Sequence, residues 1–192
     1  MRLHITRRWA LRVLAGSFGA AIGVFGYLGF LNVTGNFHAT IPGELYRSAQ
    51  LQPGDLTRYT ELYHIRSVLN LRGAEPERDW YKYEIHEATI NGIEHRDFRM
   101  RADAELTDQE AVQLIETMRQ MPKPLLIHCR SGADRTGLAA AFYLAAIAKR
   151  GEWASEEQLW LQNGHLPLWF TGAFAMNRTF ERMEPYLGFP DS

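Results

Sequence analysis

Cysteine is nearly absent from this sequence: its 192 residues contain one, Cys129. A single cysteine excludes an intramolecular disulfide, the usual cysteine-rich zinc sites and any redox relay that needs a second, resolving thiol. The formal net charge is only −1 and gives no electrostatic argument for a nucleic-acid partner. No internal repeat is visible. Hydrophobic residues make up 46% and charged residues 22%, as in a globular domain, and the length leaves room for an appendage.

The N-terminal residues form a basic flank followed by an uncharged apolar run. Residues 1–12 hold four arginines and no acidic residue, and residues 13–31 hold no charge. As a helix this run would measure about 28 Å, close to the hydrocarbon thickness of a bilayer. We predict an uncleaved, single-pass transmembrane anchor at 13–31, with the chain after it on the non-cytoplasmic (periplasmic) side. A cleaved signal peptide and a buried core helix are the alternatives.

Residues 32–40 are predicted to be a polar linker, and residues 41–192 a single domain. Strand-length runs lie at 45–48, 67–71, 93–98 and 124–127. Helical patterns alternate with them. One helix opens at a capping box, residues 107–110, another at a second box, residues 155–158, and a last helix is predicted over about 168–186. The alternation predicts an α/β fold with a central, mostly parallel sheet flanked by helices.

The cysteine opens a loop between a strand pattern and a helix pattern. The run is His128-Cys129-Arg130-Ser131-Gly132-Ala133-Asp134-Arg135-Thr136-Gly137. Such a loop turns backbone N–H groups inward above a helix N-terminus, and this field favours a thiolate at Cys129. Arg135 offers a planar fork to two phosphoryl oxygens, and Thr136 a hydroxyl to the sulfur. Gly132 and Gly137 suit a sharp bend or a close approach. An inert buried cysteine would explain neither the glycines nor the arginine.

This run resembles the signature H-C-x5-R-[ST]-G of the cysteine-dependent protein tyrosine and dual-specificity phosphatase superfamily, matched at every fixed position. It is similar above all to the small bacterial dual-specificity-like members, which also carry a Leu-Tyr-Arg-Ser segment, here 45–48, and a strand ending in a Leu-Arg pair, here 71–72. The resemblance covers about residues 41–186. It implies that the domain at 41–192 is a phosphatase catalytic domain, with Cys129 as nucleophile and no metal or organic cofactor. It also implies a set of substrate-binding residues in and beside the signature loop (residues 129–135): Arg130, Ser131, Gly132, Ala133, Asp134, Arg135 and Thr136.

The resemblance further implies an aspartate, some two to three dozen residues before the cysteine, that protonates the leaving oxygen. Asp97, Asp103 and Asp108 fall in or near that window. Asp108 lies in the first turn of a predicted helix, where the helix dipole already explains an acidic residue. Asp97 lies within a strand pattern. Asp103, between two alanines in a loop, is our prediction for the general acid, with Asp97 in reserve.

Two more residues are predicted to support the site. The resemblance implies that His128 orders the loop through hydrogen bonds and transfers no proton; a satisfied core histidine is the alternative. Arg72 leaves the carboxyl end of a predicted strand, the edge at which α/β proteins bind ligands. It is expected either to shape the substrate pocket or to pair with Glu75 or Glu77. Asp134 places negative charge at the rim of the loop, which should disfavour highly phosphorylated substrates.

These residues predict a phosphomonoester hydrolase that acts through a phosphocysteine. The leading substrate is phosphotyrosine in proteins, by resemblance. A phospholipid or lipid-linked phosphate is the alternative, because the anchor would hold the site near a bilayer. A second class of function is an inactive module that captures phosphorylated partners. Relatives of that kind usually lose the cysteine, the arginine or the acid, and all three are present here.

Overall fold

The structure, a computed structural model, describes residues 7–189 and divides into two units, Met1–Thr34 and Gly35–Ser192. In the first unit the described residues form the helix α1, which spans Arg7–Val33 and contains the predicted apolar run. Its stretch Arg12–Val33 has 22 residues and a mean hydropathy of 1.7. By length and composition this helix is able to cross a membrane, and a signal sequence meets the same description. Predictions that fall on residues 1–6, including the start of the basic flank, and on 190–192 lie outside the described residues.

A five-stranded sheet in the order β1-β2-β5-β3-β4 organises the second unit. The strands are β1 (His38–Ile41), β2 (Leu45–Ser48), β3 (Ser67–Asn70), β4 (Glu94–Asp97) and β5 (Leu125–His128). β2, β5, β3 and β4 run parallel, which confirms the predicted mostly parallel sheet. β1 pairs antiparallel with β2 at the edge. The sequence did not predict β1, because a short, half-exposed edge strand has no apolar run. β1 begins inside the segment 32–40, which was expected to be a linker.

Helices flank the sheet. They are α2 (Asp55–Tyr63), α3 (Asp79–Ile90), α4 (Asp108–Gln120), α5 (Asp134–Phe142), α6 (Glu152–Glu156) and α7 (Ala175–Leu187). A π-helical turn, Tyr143–Ile147, continues α5. The first predicted capping box is confirmed: the Thr107 hydroxyl accepts from the Glu110 amide at 3.2 Å, and the Glu110 carboxylate accepts from the Thr107 amide at 2.7 Å.

Two predicted helix starts in the C-terminal third are wrong. Ser155 does not cap a helix; it is completely buried inside α6, where its hydroxyl donates to the carbonyl of Gly151 at 3.1 Å. The last helix begins at Ala175 and not near residue 168. Thr171 donates its amide to the carbonyl of Leu168 at 2.8 Å, which closes a turn where the pattern predicted a helix. In both places tertiary packing overrides a local pattern that is compatible with a helix start.

The core lies on both faces of the sheet because successive residues of a strand point to opposite sides. Leu45, Leu69 and Leu125 belong to the larger apolar cluster, which includes side chains of α4, α5 and α7. Tyr46 and Val68 belong to a smaller cluster with side chains of α2 and α3. The central strands β3 and β5 are completely buried. This double layer fixes the register of the strands and therefore the position of the residues at their carboxyl ends.

Candidate active site

The carboxyl ends of the four parallel strands meet at one edge of the sheet. Their last residues, Ser48, His128, Asn70 and Asp97, are paired in register across β2, β5, β3 and β4. Cys129 follows His128 directly, and the signature loop runs from there into α5. The predicted nucleophile therefore lies at the ligand-binding edge of the sheet and before the N-terminus of a buried helix.

Arg47, on β2, holds two carbonyl groups of the signature loop. Its side chain is completely buried. Nη2 donates to the carbonyl oxygens of Gly132 at 2.8 Å and Ala133 at 3.3 Å, and Nη1 donates to Oε1 of Gln158 at 2.9 Å. Burial lowers the pKa of Arg47 to about 10, against the opposing influence of the nearby Cys129 and Asp134. Arg47 is therefore still a cation at neutral pH. The sequence predicted no role for Arg47, although an arginine within a buried strand is itself a signal.

Two other elements hold the preceding carbonyls of the loop. The backbone amide of Gln50 donates to the carbonyl of Arg130 at 3.1 Å. Nδ2 of the buried Asn36 donates to the carbonyl of Ser131 at 3.2 Å. Four successive carbonyl groups, residues 130–133, thus have donors from outside the loop. Because C=O and the following N–H of a peptide point in opposite directions, this arrangement turns the loop amides towards the other side, where an anion can bind. Of these amides, that of Ala133 donates to the hydroxyl of Ser131 at 3.4 Å.

Gly132 is required by the same packing. Its φ is +71°, a left-handed value that disfavours side chains. A Cβ there would lie 2.7 Å from the backbone of Ser48 and Ala49. The loop therefore lies directly against the end of β2, which agrees with the bend and close approach expected at this glycine.

His128 bonds to a carboxylate that the sequence did not point to. Nε2 of His128 lies 2.9 Å from Oε1 of Glu84, on α3, and Nε2 of His95 lies 2.8 Å from the same oxygen. Nδ1 of His128 is 3.4 Å from the carbonyl oxygen of Cys129. Burial would raise the pKa of Glu84, but the two adjacent imidazoles outweigh it and bring the pKa to about 2. An acidic residue on a helix normally indicates a solvated face, so no sequence signal distinguished Glu84.

We expect this buried group to shape the acid stability of the protein. A folded pKa of about 2, below the ordinary 4.5, means that ionised Glu84 contributes stability that is fully present above pH 4.5. That contribution, at most about 3 kcal/mol, is lost as the pH falls towards 2. Glu84→Gln should lower the urea midpoint at pH 7 and flatten its pH dependence below 4.5. Glu61→Gln, at an exposed site, is the control; parallel curves for Glu84→Gln and wild type would contradict the assignment.

Arg135, the last residue of the signature loop, and Thr136, which follows it, each have a polar atom without a hydrogen bond among the described residues. Nη1 of Arg135 donates to the carbonyl of Met100 at 3.3 Å. Nε of Arg135 and the hydroxyl of Thr136 are buried and have no hydrogen-bond partner. The predicted bond from Thr136 to the sulfur is therefore not formed in this structure. Buried polar atoms are rarely left unsatisfied in folded proteins, so these two atoms fit a site that accepts an anion.

Neither predicted acid hydrogen-bonds to the signature loop within the described residues. Asp103 is exposed and accepts two bonds of 3.0 Å from Arg101, which lower its pKa. Asp97 accepts from Nδ2 of Asn70 at 2.7 Å and from the hydroxyl of Tyr81 at 2.6 Å. Asp97 is thus tied to the sheet and to α3, whereas Asp103 is tied only to an exposed neighbour on its own loop. Asp103 therefore has the greater freedom to approach a bound ester.

Arg72 pairs with Glu75, one of the alternatives expected for it, and its part in shaping a substrate pocket stays a prediction. Nη1 donates to Oε1 of Gln50 at 2.7 Å, and Nη2 lies 3.7 Å from the carboxylate of Glu75. Burial lowers the pKa of Arg72 while Glu75 opposes the shift, and the positive charges of Arg135 and Arg130 lower the pKa further. Three arginines are thus close enough to influence one another. Positive charge converges beside the loop, as binding of a phosphate ester requires.

Asp134 is partly engaged away from any substrate. Its carboxylate lies 2.7 Å from Nδ1 of His165, and Nε2 of the same ring lies 2.8 Å from Oδ1 of Asn177. His165 is completely buried. This contact occupies one oxygen of the carboxylate that Asp134 was expected to present at the rim of the loop.

A family model described as tyrosine phosphatase family matches residues 28–152, more than half of the chain. The chain belongs to the tyrosine phosphatase family. The matched residues include all five strands of this phosphatase-family protein and the whole signature loop. No curated protein sequence matches the chain.

Solved structures share the phosphatase fold at low sequence identity. TpbA from P. aeruginosa, in a variant complexed with phosphotyrosine, is 18% identical, with a TM-score of 0.59 over 83% of this chain and 93% of that chain. The core catalytic domain of the PP-IP phosphatase SIW14 from S. cerevisiae, complexed with citrate, is also 18% identical. Its TM-score is 0.57 over 81% of this chain and 94% of that chain. At this identity the likeness establishes the fold alone.

Proposed function

We propose that this member of the tyrosine phosphatase family hydrolyses phosphomonoesters through a phosphocysteine. Cys129 is the nucleophile, and Arg135 with the loop amides binds the phosphoryl oxygens. The observation that supports this most strongly is the set of loop carbonyls, residues 130–133, held by donors from outside the loop. Such amides are fixed before substrate arrives, so they stabilise transition-state charge without reorganising. No metal or organic cofactor is needed in this mechanism.

The reaction proceeds in two displacements. The thiolate of Cys129 forms an S–P bond as the P–O bond of the ester breaks, and Asp103 gives its proton to the departing oxygen. Water then attacks phosphorus and loses a proton to Asp103. The S–P bond breaks, inorganic phosphate leaves and the thiolate is restored. A phosphoryl dianion in the loop adds negative charge near Asp103, which favours the protonated carboxyl that the first step requires.

Phosphotyrosine in proteins is the proposed substrate. Cys129 is only 1% exposed, so the phosphoryl group must reach inward to meet the sulfur. An aryl phosphate extends further from a peptide backbone than the phosphate of serine or threonine. Among the solved structures, TpbA was captured with phosphotyrosine, whereas SIW14 is named for PP-IP substrates. A lipid-linked phosphate is the second candidate, and the observation that favours it is the apolar helix α1.

We further propose that α1 remains uncleaved and anchors the catalytic unit at the non-cytoplasmic face of a membrane. Its length and hydropathy support this role. The arginines in residues 1–12 support the orientation. The division into flank 1–12, anchor 13–31, linker 32–40 and catalytic domain 41–192 stays a prediction, with the edge strand β1 already present at 38–40.

The full-length protein in bilayer nanodiscs should distinguish the candidate substrates. We would measure kcat/KM for an aryl phosphate, a phosphotyrosyl peptide and phosphatidylglycerophosphate, each beside Cys129→Ser. The phosphotyrosyl peptide is expected to give the highest value. Preference for the lipid would replace it as the substrate. Silence on all three, with retained binding of the peptide, would overturn the enzyme and support a binding module.

Asp103→Ala should lose more activity on esters whose leaving oxygen is more basic and therefore needs a proton to depart. Loss of a general acid costs about 10²- to 10⁴-fold, so kcat on the phosphotyrosyl peptide should fall by about 10²-fold or more. An aryl phosphate with an acidic phenol needs no proton and should be affected far less. Asp97→Asn and Asp108→Ala serve as matched carboxylate controls. Equal losses on both substrates would contradict the role of Asp103, and a leaving-group-dependent loss in Asp97→Asn would transfer it to Asp97.

A further inference from the structure

A short turn in the C-terminal third presents apolar side chains to solvent. In this aromatic turn (residues 168–171) Leu168 is 39%, Trp169 77% and Phe170 68% exposed. The two rings pack edge to face with centroids 5.7 Å apart. Thr171 donates both its amide and its hydroxyl to the carbonyl of Leu168, each at 2.8 Å. The turn is therefore a closed structure with two aromatic rings at its tip.

Both ends of the aromatic turn are fixed beside the active site. Before it, the completely buried His165 bonds to Asp134, the first residue of α5. After it, Gly172 lies against the loop of the predicted general acid: a Cβ at Gly172 would be 2.8 Å from Cβ of Asp103. The tip is thus held between the end of the signature loop and the acid-bearing loop. A rigid position beside the site distinguishes it from apolar residues scattered on a surface.

The surroundings of the turn favour an apolar partner. Asp103, in contact with Gly172, is neutralised by its two hydrogen bonds to Arg101. Glu105, on the same loop, is paired with Arg178. Both carboxylates of the adjacent loop are thus paired, and Arg99, on the same loop, donates to the carbonyl of Ala74 at 2.6 Å. Exposed tryptophan and phenylalanine side chains with little net charge around them are suited to the interface of a lipid bilayer, where an indole has one apolar and one hydrated side.

The chain itself points to a bilayer as that partner. Val33 ends α1, the helix that is long and apolar enough to cross a membrane. Asn36, three residues later, already donates to Ser131 in the signature loop. Three residues of extended chain span at most about 11 Å. A chain that leaves a bilayer at Val33 therefore reaches the catalytic unit within that distance.

We propose that the aromatic turn inserts into the interface of the same bilayer that holds α1, as a second membrane contact of the chain. The two contacts together direct the mouth of the active site towards the membrane surface. This inference rests on the proposed membrane position of α1 and not on phosphatase activity. It is tested by fluorescence, so a failure of the proposed catalysis does not affect the result.

The test places one reporter thiol at a time in the full-length chain, with Cys129→Ser removing the native thiol. Phe170→Cys reports the tip of the aromatic turn and Phe25→Cys reports α1. Ile90→Cys, at the end of α3, is the matched control, because Ile90 is also apolar and 62% exposed. Each variant carries an environment-sensitive fluorophore in phosphatidylcholine vesicles, with and without spin-labelled lipids. The label is near the headgroup for positions 170 and 90 and on the acyl chain for position 25. Quenching of about twofold or more is expected at positions 25 and 170, and little at position 90.

The outcomes separate the two membrane contacts. Quenching at position 25 but not at position 170 would overturn the insertion of the turn, and so would an equal signal at positions 170 and 90. No quenching at position 25 would also overturn it, because α1 would then lie outside the bilayer. Adding Trp169→Ser to Phe170→Cys should reduce quenching at 170.

Because the neighbouring charges are paired, anionic lipid should change the signal little. An absolute need for anionic lipid would contradict apolar insertion.

Discussion

Cys129→Ser is expected to lower kcat by about four orders of magnitude or more while leaving affinity for a phosphate ester almost unchanged. A serine hydroxyl is not ionised near neutral pH. The side chains that bond to His128 and to the loop are already engaged and cannot act as a base that deprotonates it. The amides of the signature loop and the guanidinium of Arg135 would remain in place. Catalysis and binding should therefore separate in this variant.

Single-turnover kinetics and calorimetric binding of the phosphotyrosyl peptide would measure the two quantities. The urea midpoint of the variant should stay close to that of the wild type, since serine and cysteine differ little in volume at this buried position. Activity above a tenth of the wild-type value would contradict the nucleophile assignment. Loss of both binding and turnover would show that the thiol also maintains the conformation of the signature loop. That result would contradict the assignment of this role to the donors from outside the loop.

The parts of the site that the sequence predicted are those that are contiguous in the chain. Cys129, Arg135 and His128 lie in one run, and a strand, a loop and a helix N-terminus in that order place them together whatever the rest of the fold does. The prediction of α/β architecture succeeded for a similar reason, since a buried strand such as β5 begins with a continuous apolar run, residues 125–127. Local pattern was sufficient wherever one element alone determined the geometry.

The parts that were missed depend on distant packing. Glu84 lies 44 positions from His128, and Arg47 lies 85 positions from Gly132. Neither pairing follows from a periodicity, because α3 and β2 acquire their neighbours only when the sheet order is set. The edge strand β1 and the buried Ser155 follow the same rule. A charged side chain in a buried strand was an available signal, and it occurred at Arg47.

Arg47→Lys is the second variant for which we expect a large effect. Lysine keeps the positive charge, but a single ammonium cannot replace a planar fork that reaches Gln158 with one nitrogen and the carbonyls of Gly132 and Ala133 with the other. At least one buried carbonyl would lose its donor, at a cost of about 1–3 kcal/mol in the free energy of unfolding. The amides that follow those carbonyls would lose their fixed orientation, so kcat/KM should fall by about 10²-fold.

Two control variants distinguish the effect of the Arg47 hydrogen bonds on the signature loop from a general effect on packing. Arg58→Lys makes the same chemical change at a side chain that is 58% exposed and paired with Asp55, and it should be nearly neutral. Gln158→Met removes the side-chain acceptor of Nη1 but leaves the backbone carbonyl of residue 158, 3.3 Å from Nη1, and the bonds to Gly132 and Ala133. It should therefore lower stability more than activity.

The inhibition constant of inorganic phosphate is the decisive readout for Arg47→Lys. Misoriented loop amides would weaken the binding of inorganic phosphate, which has no leaving group, and so raise its inhibition constant. A purely structural defect would lower the urea midpoint and leave the inhibition constant unchanged. If phosphate binds Arg47→Lys as tightly as wild type, Arg47 stabilises the fold without organising the site. If binding weakens in Arg47→Lys but not in Gln158→Met, the bonds to the loop carbonyls are what hold the amides towards the anion.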